Sequence, residues 1–170
     1  MKPTPPKYWF VLYTKPRHEF KAEAQIKSIN VETYLPTTTV IKQWSDRKKK
    51  VTEPLFKSYI FIYADEKERL NSLEQNGVVA TVCFKGKPAH VPEIQIENLR
   101  KLLAGKSEVE VTDKIEINTR VRVDDGPFAG IEGVVFENEN NDKMLGITID
   151  LLNRTVAVKL PKTEVTVINK

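Results

Sequence analysis

The chain has 170 residues, 29% of them charged and 40% hydrophobic, and carries a formal net charge of +4. That balance describes a folded, water-soluble chain with room for two small domains and excludes a disordered one. No apolar run approaches the roughly 18 residues of a membrane span, and MKPTPPK has no apolar signal core, so a cytoplasmic protein with no membrane partner is expected.

Tyr8 to Tyr13 (YWFVLY) is a continuous aromatic and β-branched run, the pattern of a strand covered on both faces. Pro16 suits the first turn of a following helix, in which Ala22, Ile26 and Ile29 form one apolar stripe. Thr37 to Trp44 and Lys49 to Glu53 flank the polar turn Ser45-Asp46-Arg47-Lys48, which predicts a hairpin with a basic tip. After the break at Pro54, Ser58 to Tyr63 reads as another buried strand. Asp65 and Glu68 have the spacing of a capping box, opening a helix that turns Leu70 and Leu73 inward. Val78 to Phe84 is a further strand. Pro92-Glu93 opens a third helix with Ile96, Leu99 and Leu103 on one face. The order predicts an α/β sandwich with helices on one side of a mostly antiparallel sheet.

Residues 105–118 lack a helical stripe and read as a mostly extended linker. Beyond it, Thr119 to Val123, Ile131 to Glu137, Leu145 to Leu151, Arg154 to Lys159 and Val165 to Ile168 are five short β-branched runs. Such runs, about fifty residues in all, predict a small five-stranded barrel that hides its edges by curling on itself. The fold class is therefore α+β: residues 1–104, the linker 105–118, and the barrel 119–170.

Charge divides at the same place. Residues 1–104 hold 18 Lys and Arg against 11 Asp and Glu, and residues 105–170 hold 9 against 12. A basic half suits a polyanion, while the acidic half suits a protein. Chemistry, by contrast, has no foothold. Cys83 is the single cysteine and reads as a small buried hydrophobe, and His18 and His90 have no metal-ligand spacing and no evident Ser or Asp partner. No enzyme, cofactor or metal site is expected. Gly126, Gly130 and Gly133 in VRVDDGPFAGIEGVVFE precede a strand rather than a helix and carry no Lys or Ser, which argues against a phosphate-gripping loop. They shape a turn and a close backbone approach.

That segment resembles the KOW motif through Gly126, Pro127, Phe128, Gly130 and Gly133. YWFVLYTKPRHE, EPLFKSYIFI and GVVATVCFKGKPAHVP resemble the N-terminal (NGN) domain of the NusG family of transcription elongation factors. QWSDRKKKVTEPLF is most similar to the specialised antiterminators of that family, the RfaH-like and UpxY-like paralogues. The resemblance implies a monomeric binding factor whose first domain sits on the clamp helices of RNA polymerase and whose KOW domain recruits a small-subunit ribosomal protein or the termination factor Rho. By position it implies polymerase contacts at Tyr13, Phe56 and Tyr59, with Pro54 and Leu55 beside them. Lys15, Arg17, Trp44, Arg47, Lys48, Lys49 and Lys50 are the candidates for DNA, with the tryptophan stacking on an unpaired base and the cations on phosphates. The alternative readings are core packing for the aromatics, a solvated turn for the charges, and a ribosome-associated or RNA-binding KOW protein for the whole. The last would favour a basic barrel, and the acidic balance of residues 105–170 counts against it.

Overall fold

The computed structural model describes residues 3–105, 107–115, 119–161 and 165–169. It divides into two compact units, residues 1–91 and 92–170.

In the first unit, β1 (Tyr8–Thr14) pairs antiparallel with β5 (Tyr59–Ala64), and β5 in turn pairs with β2 (Glu32–Tyr34). On its other side β1 pairs first with β6 (Val78–Thr81) and then with β9 (His90–Val91), so the first strand is central as its composition predicts. Trp9, Phe10, Val11 and Leu12 are all buried, the mark of a strand covered on both faces. Phe10, Leu12, Ile60 and Ile62 point to one side. There they meet Ala22 and Ile26 of α1 (Glu19–Ser28), and Leu73 of α2 (Glu66–Leu73) packs against the same cluster. The opposite face is aromatic: Trp9, Tyr34, Phe61 and Tyr63 lie with ring centroids 5.3–6.5 Å apart.

Local chemistry accounts for the details. The Asp65 side chain accepts from the Glu68 N–H while the Glu68 carboxylate accepts from the Asp65 N–H, the capping box read from the sequence. α1 begins at Glu19 rather than at Pro16, because Arg17 takes a left-handed conformation (φ 62°) that interrupts helical geometry before His18. Leu70 is exposed rather than inward. The inner side of α2 instead holds Arg69, whose guanidinium bonds Glu66 and donates to Thr81 Oγ1 at 2.7 Å.

Two hairpins leave this sheet. One is β3 (Thr37–Gln43) with β4 (Lys48–Pro54), as expected. The other replaces the end of the expected strand 78–84: the chain leaves the sheet at Val82 and forms β7 (Cys83–Phe84) and β8 (Lys87–Pro88) before returning as β9. Cys83 is exposed there, a correction to the buried reading.

The second unit contains α3 (Glu93–Ala104), expected in the first domain, and a six-stranded antiparallel sheet. Its strands are β10 (Val109–Asp113), β11 (Arg120–Val123), β12 (Glu132–Glu137), β13 (Lys143–Ile149), β14 (Arg154–Lys159) and β15 (Val165–Asn169), ordered β10-β14-β13-β12-β11-β15. The five expected strands form, and a sixth is added: β10 lies inside the predicted linker and pairs with β14 from Val109↔Val158 to Asp113↔Arg154. Linker residues 106 and 116–118 lie outside the described residues. On α3, Ile96 and Leu99 are buried as predicted. Leu102 joins them, and Leu103 is half-buried.

The glycine segment folds as its physics suggests. Gly126 (φ 78°) opens a short 3₁₀ turn through Phe128, which is buried. A Cβ on Gly133 would sit 2.5 Å from the Gly146 carbonyl oxygen, so only glycine lets β12 approach β13 at that point. Among the described residues no helix is long and apolar enough to cross a membrane.

Candidate functional site

The candidate interface is built at the C-terminal end of β1. Strand alternation puts Tyr13 on the aromatic face with Trp9 and Val11, and its register partner on β5 is Tyr59. The two rings meet edge to face at 5.6 Å, Tyr13 exposed and Tyr59 half-buried. The candidates 54–56 divide. Pro54 is half-buried, whereas Leu55 and Phe56 are only 8% and 4% exposed, and Phe56 packs 6.0 Å from Phe61 on the same face. Phe56 is thus the floor of this surface and the two tyrosines are its accessible rim.

One residue that holds the site together escaped the sequence reading. Glu19 is 5% exposed, and its Oε1 accepts from the Ser58 N–H at 2.8 Å. Ser58 has φ 66°, and its carbonyl accepts from the Thr14 N–H at 2.8 Å, so the turn 56–59 is tied to both α1 and the end of β1. A signal was present: Glu19, Ala22 and Ile26 fall on one helical stripe, with a carboxylate where an apolar residue belongs.

Lys15 and Arg17 follow β1 directly and are exposed; Lys15 Nζ donates to Asn76 Oδ1 at 3.0 Å. The remaining basic candidates lie together on the β3–β4 hairpin, where every residue from 41 to 50 is exposed. Trp44 N–H donates to the Arg47 carbonyl at 2.8 Å, closing the turn, and Lys49 Nζ sits 4.6 Å from the centroid of the Trp44 ring. Cross-strand register places Lys42 opposite Lys49 and Gln43 opposite Lys48. Like charges directly opposite destabilise a hairpin. Lys42 is offset by an ion pair with Glu53, whose carboxyl it holds below the usual glutamate range. Arg47 has only a 4.0 Å approach to Asp46. An exposed indole capped by a cation and surrounded by further cations can stack on a base and contact phosphates at once.

The KOW-like residues occupy the second unit. Gly126, Pro127 and Gly130 form the exposed turn between β11 and β12, Phe128 anchors it from within, and Gly133 lies inside β12.

An antiparallel sheet with two helices on one face, followed by a second unit of one helix and a six-stranded antiparallel sheet, defines a two-unit α+β protein rather than a single-sheet fold. The family profile described as "Transcription termination factor nusG" matches residues 7–100, and the chain belongs to the NusG family. The transcription termination/antitermination protein NusG of Lactococcus lactis subsp. lactis is 28% identical, the match covering 89% of this chain and 88% of that protein. The NusG of Rickettsia bellii is 25% identical over 94% of this chain and 89% of its own. A solved structure of Thermotoga maritima NusG, described under the words "domain interaction", superposes with a TM-score of 0.50 at 22% identity and covers 96% of this chain and 98% of that one, which supports the fold.

Proposed function

We propose that this chain is a transcription elongation and antitermination factor that binds the clamp helices of RNA polymerase through the aromatic rim of its first unit. Membership of the NusG family makes it a transcription termination/antitermination factor, and that membership supports a binding role without catalysis. The observation that carries the finer reading is the edge-to-face pair of exposed Tyr13 and half-buried Tyr59 at the end of the aromatic face, beside a turn fixed by Glu19. Accessible aromatics on a pre-organised surface are what protein interfaces use as anchors. The β3–β4 hairpin supports contact with DNA in the elongation complex, since its exposed charges exceed what folding the hairpin needs. The β-sheet of the second unit, with KOW-like residues at Gly126, Pro127, Phe128, Gly130 and Gly133, supports recruitment of a protein partner, a small-subunit ribosomal protein or Rho. The protein acts as a cytoplasmic monomer without a cofactor, in the manner of the specialised paralogues.

The test is capture of RNA polymerase by the full chain, wild type against Tyr13→Ala/Tyr59→Ala. Interface aromatics commonly contribute about 2 kcal/mol or more, so binding weakens by at least roughly thirtyfold. Equal capture by a folded double variant would remove the clamp assignment.

A further inference from the structure

The β7–β8 hairpin has no part in the reading above, and its chemistry is unusual for an exposed turn. It is an excursion from the middle of an otherwise continuous edge: β6 and β9 both pair with β1, and the chain leaves between them. The neck is closed by Val82 N–H donating to the Val11 carbonyl at 2.8 Å and Ala89 N–H donating to the Val82 carbonyl at 3.2 Å. Cys83 pairs with Pro88 and Phe84 with Lys87 around a two-residue turn, Lys85 (φ 50°) and Gly86 (φ 76°). Consecutive positive φ values mark the tight, twisted turn that suits a hairpin. The tip is therefore a defined presentation rather than a loose loop.

What it presents is Phe84, 66% exposed, with Lys85 Nζ 5.5 Å from the ring centroid and Lys87 on the paired strand. A phenylalanine two-thirds exposed contributes little to a core and costs solubility. The flanking sequence shows which partner it suits: from Gln75 to Pro92 there is no Asp or Glu, while Lys85, Lys87 and His90 all fall within it. An apolar protein groove would need no such removal of acid, whereas a phosphate chain would. The β3–β4 hairpin repeats the arrangement with Lys49 over Trp44. Along β1, the neck at Val11 is about 13 Å from Lys15, four residues at strand rise, so one strand can touch both.

The geometry points to the β7–β8 hairpin as a second single-strand nucleic-acid contact, in which Phe84 stacks on an unpaired base and Lys85 and Lys87 engage the adjoining phosphates. It rests on the function proposed above only for which strand is met in the cell. Binding itself is measured without polymerase, so the two can fail separately.

The experiment titrates the purified full chain with a fluorescent oligothymidine and with a duplex of the same length, across a range of salt. Phe84→Ala weakens single-strand binding roughly tenfold with the salt slope unchanged, because stacking releases no counterions, and Phe84→Trp restores it. Lys85→Ala/Lys87→Ala lowers the salt slope by about 0.7 per lysine. Thermal unfolding of each variant matches wild type, since the tip is exposed. Wild-type oligothymidine affinity in Phe84→Ala would overturn the assignment, as would a stronger effect on the duplex than on the single strand. Loss of polymerase capture by Phe84→Ala with oligothymidine binding intact would overturn it too, making the tip a protein contact.

Discussion

Phe56 and Tyr59 are three residues apart and meet opposite fates, which decides how each can be tested. Phe56 is buried against Phe61, so Phe56→Ala removes a core aromatic and destabilises the first unit by about 3 kcal/mol or more. Any loss of partner binding in that variant would be confounded by unfolding. Tyr13 and Tyr59 meet edge to face at the accessible rim and are truncated at lower cost in melting temperature than Phe56, so they report the interface more cleanly. Glu19 belongs to neither group. Glu19→Ala leaves the Ser58 N–H without its acceptor and costs about 1–3 kcal/mol, read by chemical denaturation, and it weakens polymerase capture because the 56–59 turn loses its tether. The sequence displays the aromatic run but cannot show which ring alternates to the rim, because that depends on the register Tyr13↔Tyr59 with a strand some 45 residues away.

At the scale of elements, local chemistry was the most legible part of the sequence. The capping box at Asp65, the β3–β4 hairpin and the central β1 all follow from neighbouring residues alone. The misreadings share one cause, tertiary pairing. Val78 to Phe84 looks like one strand because Val and Thr favour sheets, yet β1 has partners there only as far as Val82, and the chain turns out at Phe84. In α2 the inner position goes to Arg69 because Glu66 and Thr81 satisfy its guanidinium, which displaces Leu70 to solvent. Arg69 also holds the Glu66 carboxyl below the usual glutamate range, chiefly through their hydrogen bond. A carboxyl depressed in the folded state stabilises above its unfolded pKa, and that contribution is lost as pH falls through the lower folded value. The first unit therefore loses a small increment of stability on acidification below the ordinary glutamate range. Glu66→Gln flattens that limb of the pH–stability curve; an unchanged limb would show that the pair contributes nothing in solution. Asp65→Ala at the same helix costs about 1 kcal/mol at neutral pH, measured in the same assay.

At the scale of the whole molecule, the boundary between units separates what composition reveals from what packing decides. Composition changes after Ala104, where the acidic, strand-rich half begins, and the family profile likewise takes in most of α3, ending at residue 100. Packing divides the chain at Val91, because α3 lies on β13: Asn98 is buried and its Nδ2 donates to the Glu132 carbonyl at 3.0 Å, and Gln95 donates to Asp150 at 2.9 Å. A buried amide aimed at the carbonyl of a strand's first residue is hard to foresee, since Asn98 is the one polar residue among the buried Ile96, Leu99 and Leu102 of α3. Two fragments discriminate between these boundaries. If α3 belongs with the sheet, residues 92–170 unfold cooperatively and are more stable than residues 105–170 by about 3 kcal/mol or more, the order expected for burying several Ile and Leu side chains. Asn98→Ala in the longer fragment removes part of that difference, because Glu132 loses its buried partner. Equal stability of the two fragments would return α3 to the first unit, and the compositional boundary at residue 104 would then be the physical one.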